Sequence, residues 1–501
     1  MKNVIDKNGK KRDIIKEKEI SFFNFLIQKS QLLDLAILLA CCLLAYIVMR
    51  CCYPYPSTYS DSGGYVDAAI KDEFYVFRPF GYSFFLQVLH SITTNIHSIF
   101  IVQLFLLFLA SYFFALTIKY FFAPAKKWLW YISLSFLIFT PTSFIMANWI
   151  MSDLLFSVQI YIILLLFIFI IKRKSWIAAI LYILVLFTSL HVRYSAILFP
   201  FVLIPFFIMK KGKMRWVIVI LSVLTFQFFY FQTKRTMKET MGINQFSTGF
   251  DGWNYANNVF YMLPHIDLKT KDFKTPRLRR LHEFIMLDID TIKKLATNYT
   301  EINAGFMWRN DMALKKYHSK IMQEQQEQQI TYLIAFVKLG SGIYKDYGIY
   351  IMTHYPFSFL RYYYFPNFEQ TFYPNPGCII DPNPQKPAVV YKYYNIDENN
   401  MMQAKYDFLK SNYYHSTMKI LYLIMWIAVA GIGIISIVKR KKLAFSGDEK
   451  IIFWGLFSFA VIYYASSIFA APMEIRYCIS MHAIQFAYCY ILLNKWLTVN
   501  G

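Results

Sequence analysis

The chain has 501 residues, of which 57% are hydrophobic, 20% are aromatic and only 16% are charged. This composition argues against a water-soluble globular enzyme, because such enzymes seldom combine so little charge with so many aromatic side chains. The formal net charge of +22 would suggest nucleic-acid binding in a soluble protein, but here its placement has to be judged against a membrane first. The seven cysteines form neither a CxxC metal site nor a disulfide pattern.

Apolar runs recur along the chain, and several are long enough to cross a bilayer, which needs about 20 residues. We therefore predict an all-α polytopic membrane protein with about ten transmembrane helices. The predicted spans are residues 31–49, 97–118, 128–147, 154–171, 176–190, 194–209, 216–231, 418–438, 451–470 and 477–494. The fifth and sixth spans are short for a bilayer, and only a corner at residues 191–193 separates them.

The distribution of basic residues predicts which ends of these spans face the cytoplasm. If the basic N-terminus is cytoplasmic, the later inside connections carry 15 basic residues against two acidic ones, Asp448 and Glu449. The short outside connections carry four basic residues against six acidic ones. Because cytoplasmic loops are normally enriched in Lys and Arg, both termini are predicted to be cytoplasmic.

Four regions follow from this topology. We predict a cytoplasmic interfacial N-terminus at 1–30, a seven-span core at 31–231, an external segment of mixed structure at 232–417 and a three-span region at 418–501. The first external loop, 50–96, should contain interfacial helices, since apolar residues recur at helical spacing between Phe80 and Ile92. The external segment has 22 basic and 17 acidic residues, which is unlike a nucleic-acid-binding surface.

Ionisable residues gather at the predicted external ends of the spans. Asp61 lies in the first external loop, and the others stand at span ends: Asp153, His191 with Arg193, and Glu474 with Arg476. Charged groups at bilayer depth are costly and usually face a protein cavity, so their convergence predicts one polar site. Four of them also have a simpler explanation: helix capping for Asp153, snorkelling for Arg193 and Arg476, and a structural hydrogen bond for His191.

Five motifs in order carry a resemblance to a known family. They are DSGGYVDAA from Asp61, RPFGYSFFLQVL from Arg78, MSDLLFSVQIYIILLLF from Met151, HVRYSAILFPFVLI from His191 and EIRYCISMHAIQF from Glu474. The set resembles bacterial glycosyltransferases of the GT-C superfamily, of the protein O-mannosyltransferase and lipid A aminoarabinose transferase type. The likeness covers roughly the first 230 residues and the last span.

Two departures from the family pattern affect the expected metal use. The acidic pair common at the start of the loop is here Asp61 followed by Ser62, and Asp153 stands where Glu is often found. Asp61 and Asp153 are the residues that would hold a divalent cation such as Mg or Mn. A lone carboxylate can instead act as a base without a metal.

The resemblance implies inverting transfer of a sugar from a polyprenyl-phosphate carrier to a hydroxyl of a lipid, glycan or protein acceptor. It implies an integral protein of the bacterial inner membrane, among membrane lipids, with its active site on the periplasmic face and no nucleic-acid partner. Asp61 and Asp153 would be catalytic, with Asp61 as the base. The donor phosphate would bind Arg193, Arg476 and Arg78. Supporting residues would be Asp67, Tyr65, His191, Glu474 and Tyr477.

Two other functions remain open from the sequence. A polymerase of lipid-linked oligosaccharides or O-antigen also has many spans, a large external loop and functional arginines, here Arg277, Arg279, Arg280 and Arg361. A transporter or flippase would also place charges in a cavity, although transporters usually bind near the bilayer midplane through broken helices.

Overall fold

The computed structural model confirms a mostly helical membrane protein. Among the residues that the structure describes, six helices are apolar and long enough to cross a membrane. The structure describes residues 4–5, 11–12, 20–59, 61–73, 77–138, 141–246, 248–298, 302–324, 331–374, 388–396, 405–406, 411–438, 443 and 445–500. The predicted interfacial N-terminus at 1–30 lies partly outside them, and its described part contains a short helix, Phe22–Leu26.

The six long helices correspond to six of the predicted spans. They are Lys29–Cys52, His97–Phe121, Ser152–Arg173, Lys213–Met241, Asn412–Val438 and Gly447–Ala470. Ser152–Arg173 is the central one, because it packs against both His97–Phe121 and Trp176–Val192 and is buried over most of its length. In contrast, Asn412–Val438 exposes Ile424, Ile427 and Ile434, as a helix surrounded by lipid would.

The other four predicted spans differ from continuous long helices. The 128–147 span contains two helices, Lys127–Ile138 and Pro141–Ala147, and the second begins at a proline, which suits a helix start. The fifth span is the 17-residue helix Trp176–Val192. The sixth is a 3-10 helix with an internal proline, Tyr194–Leu203, continued by Ile204–Met209. The tenth is a short helix, Ile475–Ile479, followed by His482–Asn500.

The regular elements described in the 232–417 segment are all helices, whereas mixed structure was predicted. Its elements are Phe250–Phe260, Leu263–His265, Thr270–Asp272, Pro276–Met286, Ile289–Asn298, Gly305–Trp308, Ala313–Glu324, Tyr332–Leu339, Gly340–Tyr344, Lys345–His354, Pro356–Phe359, Leu360–Tyr364, Phe365–Glu369 and Ala388–Tyr394. Of these, Leu263–His265 and Thr270–Asp272 are 3-10 helices, and Gly340–Tyr344 and Leu360–Tyr364 are π-helices. A two-residue pairing of Val4–Ile5 with Lys11–Arg12 is the strand structure described.

Ion pairs join the helix ends that were predicted to face the cytoplasm. Lys119 Nζ lies 2.6 Å from Asp34 Oδ2, and Lys495 Nζ lies 2.8 Å from Glu449 Oε2. Lys172 lies 3.9 Å from the same glutamate. These contacts bring the basic connections to one end of the bundle, which leaves the candidate site residues at the other end.

The 232–417 segment has its own core and is fastened to the bundle by hydrogen bonds. Trp253, Phe336 and Tyr344 are fully buried at the centre of that core. The buried amide of Asn367 donates to the carbonyl oxygens of Ile468 and Ala471, each at 2.9 Å. This amide therefore fixes the backbone just before the last helices.

The 50–96 loop folds into two helices that pack on each other. They are Ser62–Lys71 and Gly81–Ile92, and their buried residues include Tyr65 and Tyr82, whose rings make an edge contact at 4.8 Å. The predicted loop helix from Phe80 to Ile92 is thus confirmed. Its exposed residues Phe84, Val88 and Ile92 recur every four positions and form one apolar stripe.

Candidate functional site

Three acid–arginine pairs cluster at the end of the bundle that faces the 232–417 segment. Arg78 donates to Asp61 Oδ2 at 2.9 Å, and the Nε atom of Arg476 lies 2.6 Å from Glu474 Oε2. Arg193 pairs with Asp153, whose side chain is only 4% exposed. These were the residues that the sequence predicted to converge, and the structure brings all three pairs into one region.

Asp61 and Asp153 are held near each other because the start of the 50–96 loop is hydrogen-bonded to the chain before Asp153. The backbone of Ser57 bonds to Asn148 and Ile150, at 2.8 and 3.0 Å. The Ser62 hydroxyl donates to the Ile150 carbonyl at 2.9 Å. Next in the loop, the Tyr65 hydroxyl lies 2.8 Å from the hydroxyl of Ser152. These hydrogen bonds therefore join the Ser62–Lys71 helix to the start of the helix that carries Asp153.

A close backbone contact fixes the loop to the helix that carries Arg193. A Cβ atom at Gly81 would lie 2.5 Å from the carbonyl oxygen of His191, which is below any normal contact distance. Only glycine allows this approach. Because Gly81 follows Arg78 by three residues, the contact also sets the position of the Asp61 partner.

The third pair is positioned from the 232–417 segment. Besides its two donated hydrogen bonds, Asn367 accepts one from the backbone N–H of Met473 at 2.7 Å. The chain then continues to Glu474 and Arg476. The guanidinium of Arg476 lies 5.3 Å from the ring centre of Tyr59 and 5.1 Å from that of Tyr477. Tyr477 is also 5.8 Å from the guanidinium of Arg193, so its ring joins two of the pairs.

Two of the pairs open into a cavity of about 340 Å³, a volume typical of small-molecule sites. The 50–96 loop, the 232–417 segment and residues 471–477 all contribute to its wall. The lining residues are Tyr59, Asp61, Arg78, Phe250, Asn254, Asn303, Ala304, Gly305, Met307, Trp308, Ala471, Pro472, Glu474, Arg476 and Tyr477. The Asp153–Arg193 pair is buried behind this wall, where Asp153 Oδ2 has no hydrogen-bond partner among the described residues.

The arginines control the charge of Asp61. Burial raises the pKa of its carboxyl, but the positive charges of Arg78, Arg476 and Arg193 outweigh that effect and hold the pKa below its usual value. Asp61 is therefore a carboxylate at neutral pH. Burial raises the pKa of the neighbouring Tyr65 to about 12, so that phenol stays protonated and can donate a hydrogen bond.

Three predicted supporting residues, Tyr65, Asp67 and His191, lie outside the cavity wall. Asp67 is exposed and forms a surface ion pair with Lys71 at 2.8 Å. His191 Nδ1 lies 2.9 Å from the carbonyl oxygen of Phe187, and Nε2 lies 3.0 Å from the side-chain oxygen of Gln232. The side chains of Asp67 and His191 are therefore engaged by residues that do not line the cavity.

The side chains of Asp61 and Asp153 do not fit the divalent-cation site suggested from the sequence. Each is neutralised by its own arginine, and a cation would have to compete with that guanidinium. Within the described ranges, no three His, Cys, Asp or Glu side chains are grouped to hold a metal ion.

Sequence reasoning missed the wall that the 232–417 segment supplies. Phe250, Asn254, Asn303 and Trp308 face Asp61 across roughly 190 to 250 residues of sequence, and nothing local marks them. Tyr59 could have been identified from the sequence, since it precedes Asp61 by two residues in the same loop.

No protein-family model matches this chain, and neither a curated protein nor a solved structure matches it.

The Gly81 contact leads to a stability prediction. Gly81→Ala should lower the thermal midpoint of the detergent-purified protein, because overpacking against a fixed backbone costs about 1–3 kcal/mol. Gly431→Ala is the matched control, since nothing lies within 4 Å of a Cβ there and alanine favours a helix. Equal midpoints for the two variants would contradict the proposed role of Gly81.

Proposed function

We propose that the protein is a membrane glycosyltransferase with a GT-C-like architecture. It would transfer a sugar from a polyprenyl-phosphate donor to an acceptor hydroxyl, with inversion. The acceptor is a lipid, a glycan or a protein.

The observation that carries this proposal is that the polar cavity adjoins an apolar crevice between membrane helices. An apolar crevice of about 440 Å³ lies between the Asn412–Val438, Gly447–Ala470 and His482–Asn500 helices. Ile468 lines the crevice, while Ala471 lines the polar cavity. Asn367 binds the carbonyls of both, so the two spaces adjoin at residues 468–471. A prenyl phosphate needs this combination of an apolar groove and a cationic end.

The arginines supply the cationic end. Arg78 and Arg476 face the cavity, and Arg193 stands behind it. Guanidinium groups bind phosphate oxygens through paired, charge-assisted hydrogen bonds. They would stabilise the negative charge that grows on the leaving phosphate, so no acid is needed to protonate it.

Asp61 is suited to act as the base. In the transfer, the acceptor oxygen forms a bond to the anomeric carbon as the bond from that carbon to the phosphate oxygen breaks. The leaving prenyl phosphate keeps the electron pair, and the acceptor proton passes to the Asp61 carboxylate.

The ion pair with Arg78 would make the pKa of Asp61 depend on whether the donor is bound. Without donor, Arg78 and Arg476 keep the pKa of Asp61 low, which makes it a weak proton acceptor. A bound phosphate would share the charge of these arginines and raise that pKa. The base would then gain strength when the donor is in place. Asp153, paired with Arg193 behind the wall, would act by orienting that arginine.

The two alternative functions, a polymerase and a transporter, would need their charged residues in other places. A polymerase working through segment arginines would use Arg277 and Arg280, which line a separate open cleft with Glu283 and Lys320. A transporter would move its substrate across the bilayer, yet the polar cavity lies at one end of the bundle.

We also propose the ten-span topology, with both termini cytoplasmic and 232–417 external in the bacterial inner membrane. In a variant with its native cysteines replaced, Lys271→Cys should react with an impermeant maleimide in intact cells. Lys174→Cys should react only after permeabilisation. Labelling of Lys174→Cys in intact cells would reverse the orientation and contradict the proposed face of the active site.

The transfer reaction itself is testable with purified protein and a labelled polyprenyl-phosphate sugar. We expect release of prenyl phosphate in the presence of acceptor and without an ion gradient. Asp61→Asn should reduce turnover by about 10²- to 10⁴-fold, because the amide keeps the shape but cannot take the proton. Asp67→Asn, a change of the same kind in the same loop, should leave turnover near wild type.

Variants of Arg476 test donor binding in the same assay. Arg476→Ala should weaken donor use, and Arg476→Lys should restore part of it, since a point charge replaces a planar fork. Recovery of intact donor lipid across a panel of sugars and acceptors would contradict the transferase. Movement of intact lipid between leaflets would instead support a flippase.

A further inference from the structure

Trp308 places a large aromatic surface on the wall of the polar cavity. Its side chain is 46% exposed, although charged residues such as Asp61 and Arg476 line the same space. Other exposed tryptophans, including Trp176 and Trp454, lie on helices of the membrane bundle, where lipid explains them. Lipid contact does not explain an open indole ring beside Asp61.

The ring is held in place by a compact aromatic cage. Phe250 lies 5.6 Å from it, and Phe336 lies 6.2 Å from it with ring planes only 15° apart. Lys315 Nζ is 5.2 Å from the ring centre. That lysine is 9% exposed, and its ammonium group donates to the Tyr332 hydroxyl at 2.5 Å. Its charge therefore lies among aromatic side chains, and the contacts with Phe250, Phe336 and Lys315 position the Trp308 ring on the cavity wall.

A free amide stands on the same wall. Asn254 lies on the Phe250–Phe260 helix and lines the cavity. Within the described residues, its side chain has no hydrogen-bond partner. An amide carries two donors and an acceptor, so it can serve neighbouring hydroxyl groups.

We propose that Trp308 and Asn254 form a saccharide subsite, in which the indole stacks on the C–H face of a pyranose and the amide binds its hydroxyls. The inference rests on the proposed function and deepens it, because it assigns sugar selection to the 232–417 segment. The pyranose belongs either to the donor lipid or to an acceptor glycan. Both present the same chemistry, an apolar ring face edged by hydroxyls.

Binding can be measured without turnover through tryptophan fluorescence. The probes are farnesyl-phosphate sugars, which represent the donor, and methyl glycosides of mannose, glucose and galactose, which represent an acceptor. We expect saturable quenching by at least one probe class in the wild type and in Trp454→Phe, and its loss in Trp308→Phe. Quenching that survives in Trp308→Phe, or no quenching by either class, would overturn the proposal.

Affinity measured by calorimetry with the same probes gives the second readout. Trp308→Phe should bind within a few-fold of wild type because it keeps an aromatic face, whereas Trp308→Ala should bind about tenfold more weakly. If Trp308→Ala does not fold, Asn254→Ala replaces it, with an expected loss of about fivefold. Wild-type affinity in the alanine variants would overturn the subsite.

The outcomes separate the subsite from the proposed function. Trp308-dependent binding with no cleavage of any lipid-linked sugar would keep the subsite and refute the transferase. Normal cleavage by Trp308→Ala, with an unchanged KM for donor and acceptor, would keep the transferase and refute the subsite.

Discussion

Pairing of buried charge is the constraint on which this end of the molecule depends. A carboxylate or guanidinium removed from water is destabilising by several kcal/mol unless a partner meets it, and breaking a buried pair costs about 3–5 kcal/mol. The Asp153–Arg193 pair joins the central helix to the corner after Trp176–Val192, and the Asp61–Arg78 pair ties the 50–96 loop together. Each pair therefore stabilises the local fold and fixes the position of a group that the proposed function uses.

Neutral pairs also explain how one site serves structure and chemistry. With an acid beside every arginine, the empty site carries little net charge and remains stable. In the proposed function, an anionic ligand would replace the carboxylate as the arginine partner, and the displaced carboxylate would become more basic. Asp61, whose pKa the arginines depress, is the group that would change most, because Arg78 bonds to it directly. In this view, phosphate binding and base activation are the same event.

The sequence predicts the site residues that stand at the ends of apolar spans, because hydropathy reveals those positions. Asp153, Arg193 and Arg476 stand out because they interrupt apolar runs at span ends, and their sidedness predicts that they meet. The sequence does not predict which acid pairs with which arginine, because Asp61 meets Arg78 only through the fold of the 50–96 loop. Trp308 and Asn254 could not be identified, because their position depends on a segment packed over the bundle by Asn367. The helices of the 232–417 segment were likewise hidden by its mixed local composition.

The central claim is that the arginine cavity and the apolar crevice hold the two ends of one ligand. A structure determined with a non-cleavable prenyl phosphonate tests it most directly. The account predicts phosphonate oxygens bonded to Arg78 or Arg476, a prenyl chain between Trp426 and Tyr464, and a broken Asp61–Arg78 pair. A phosphonate bound elsewhere, such as in the Arg277–Arg280 cleft, with the Asp61–Arg78 pair intact would contradict it.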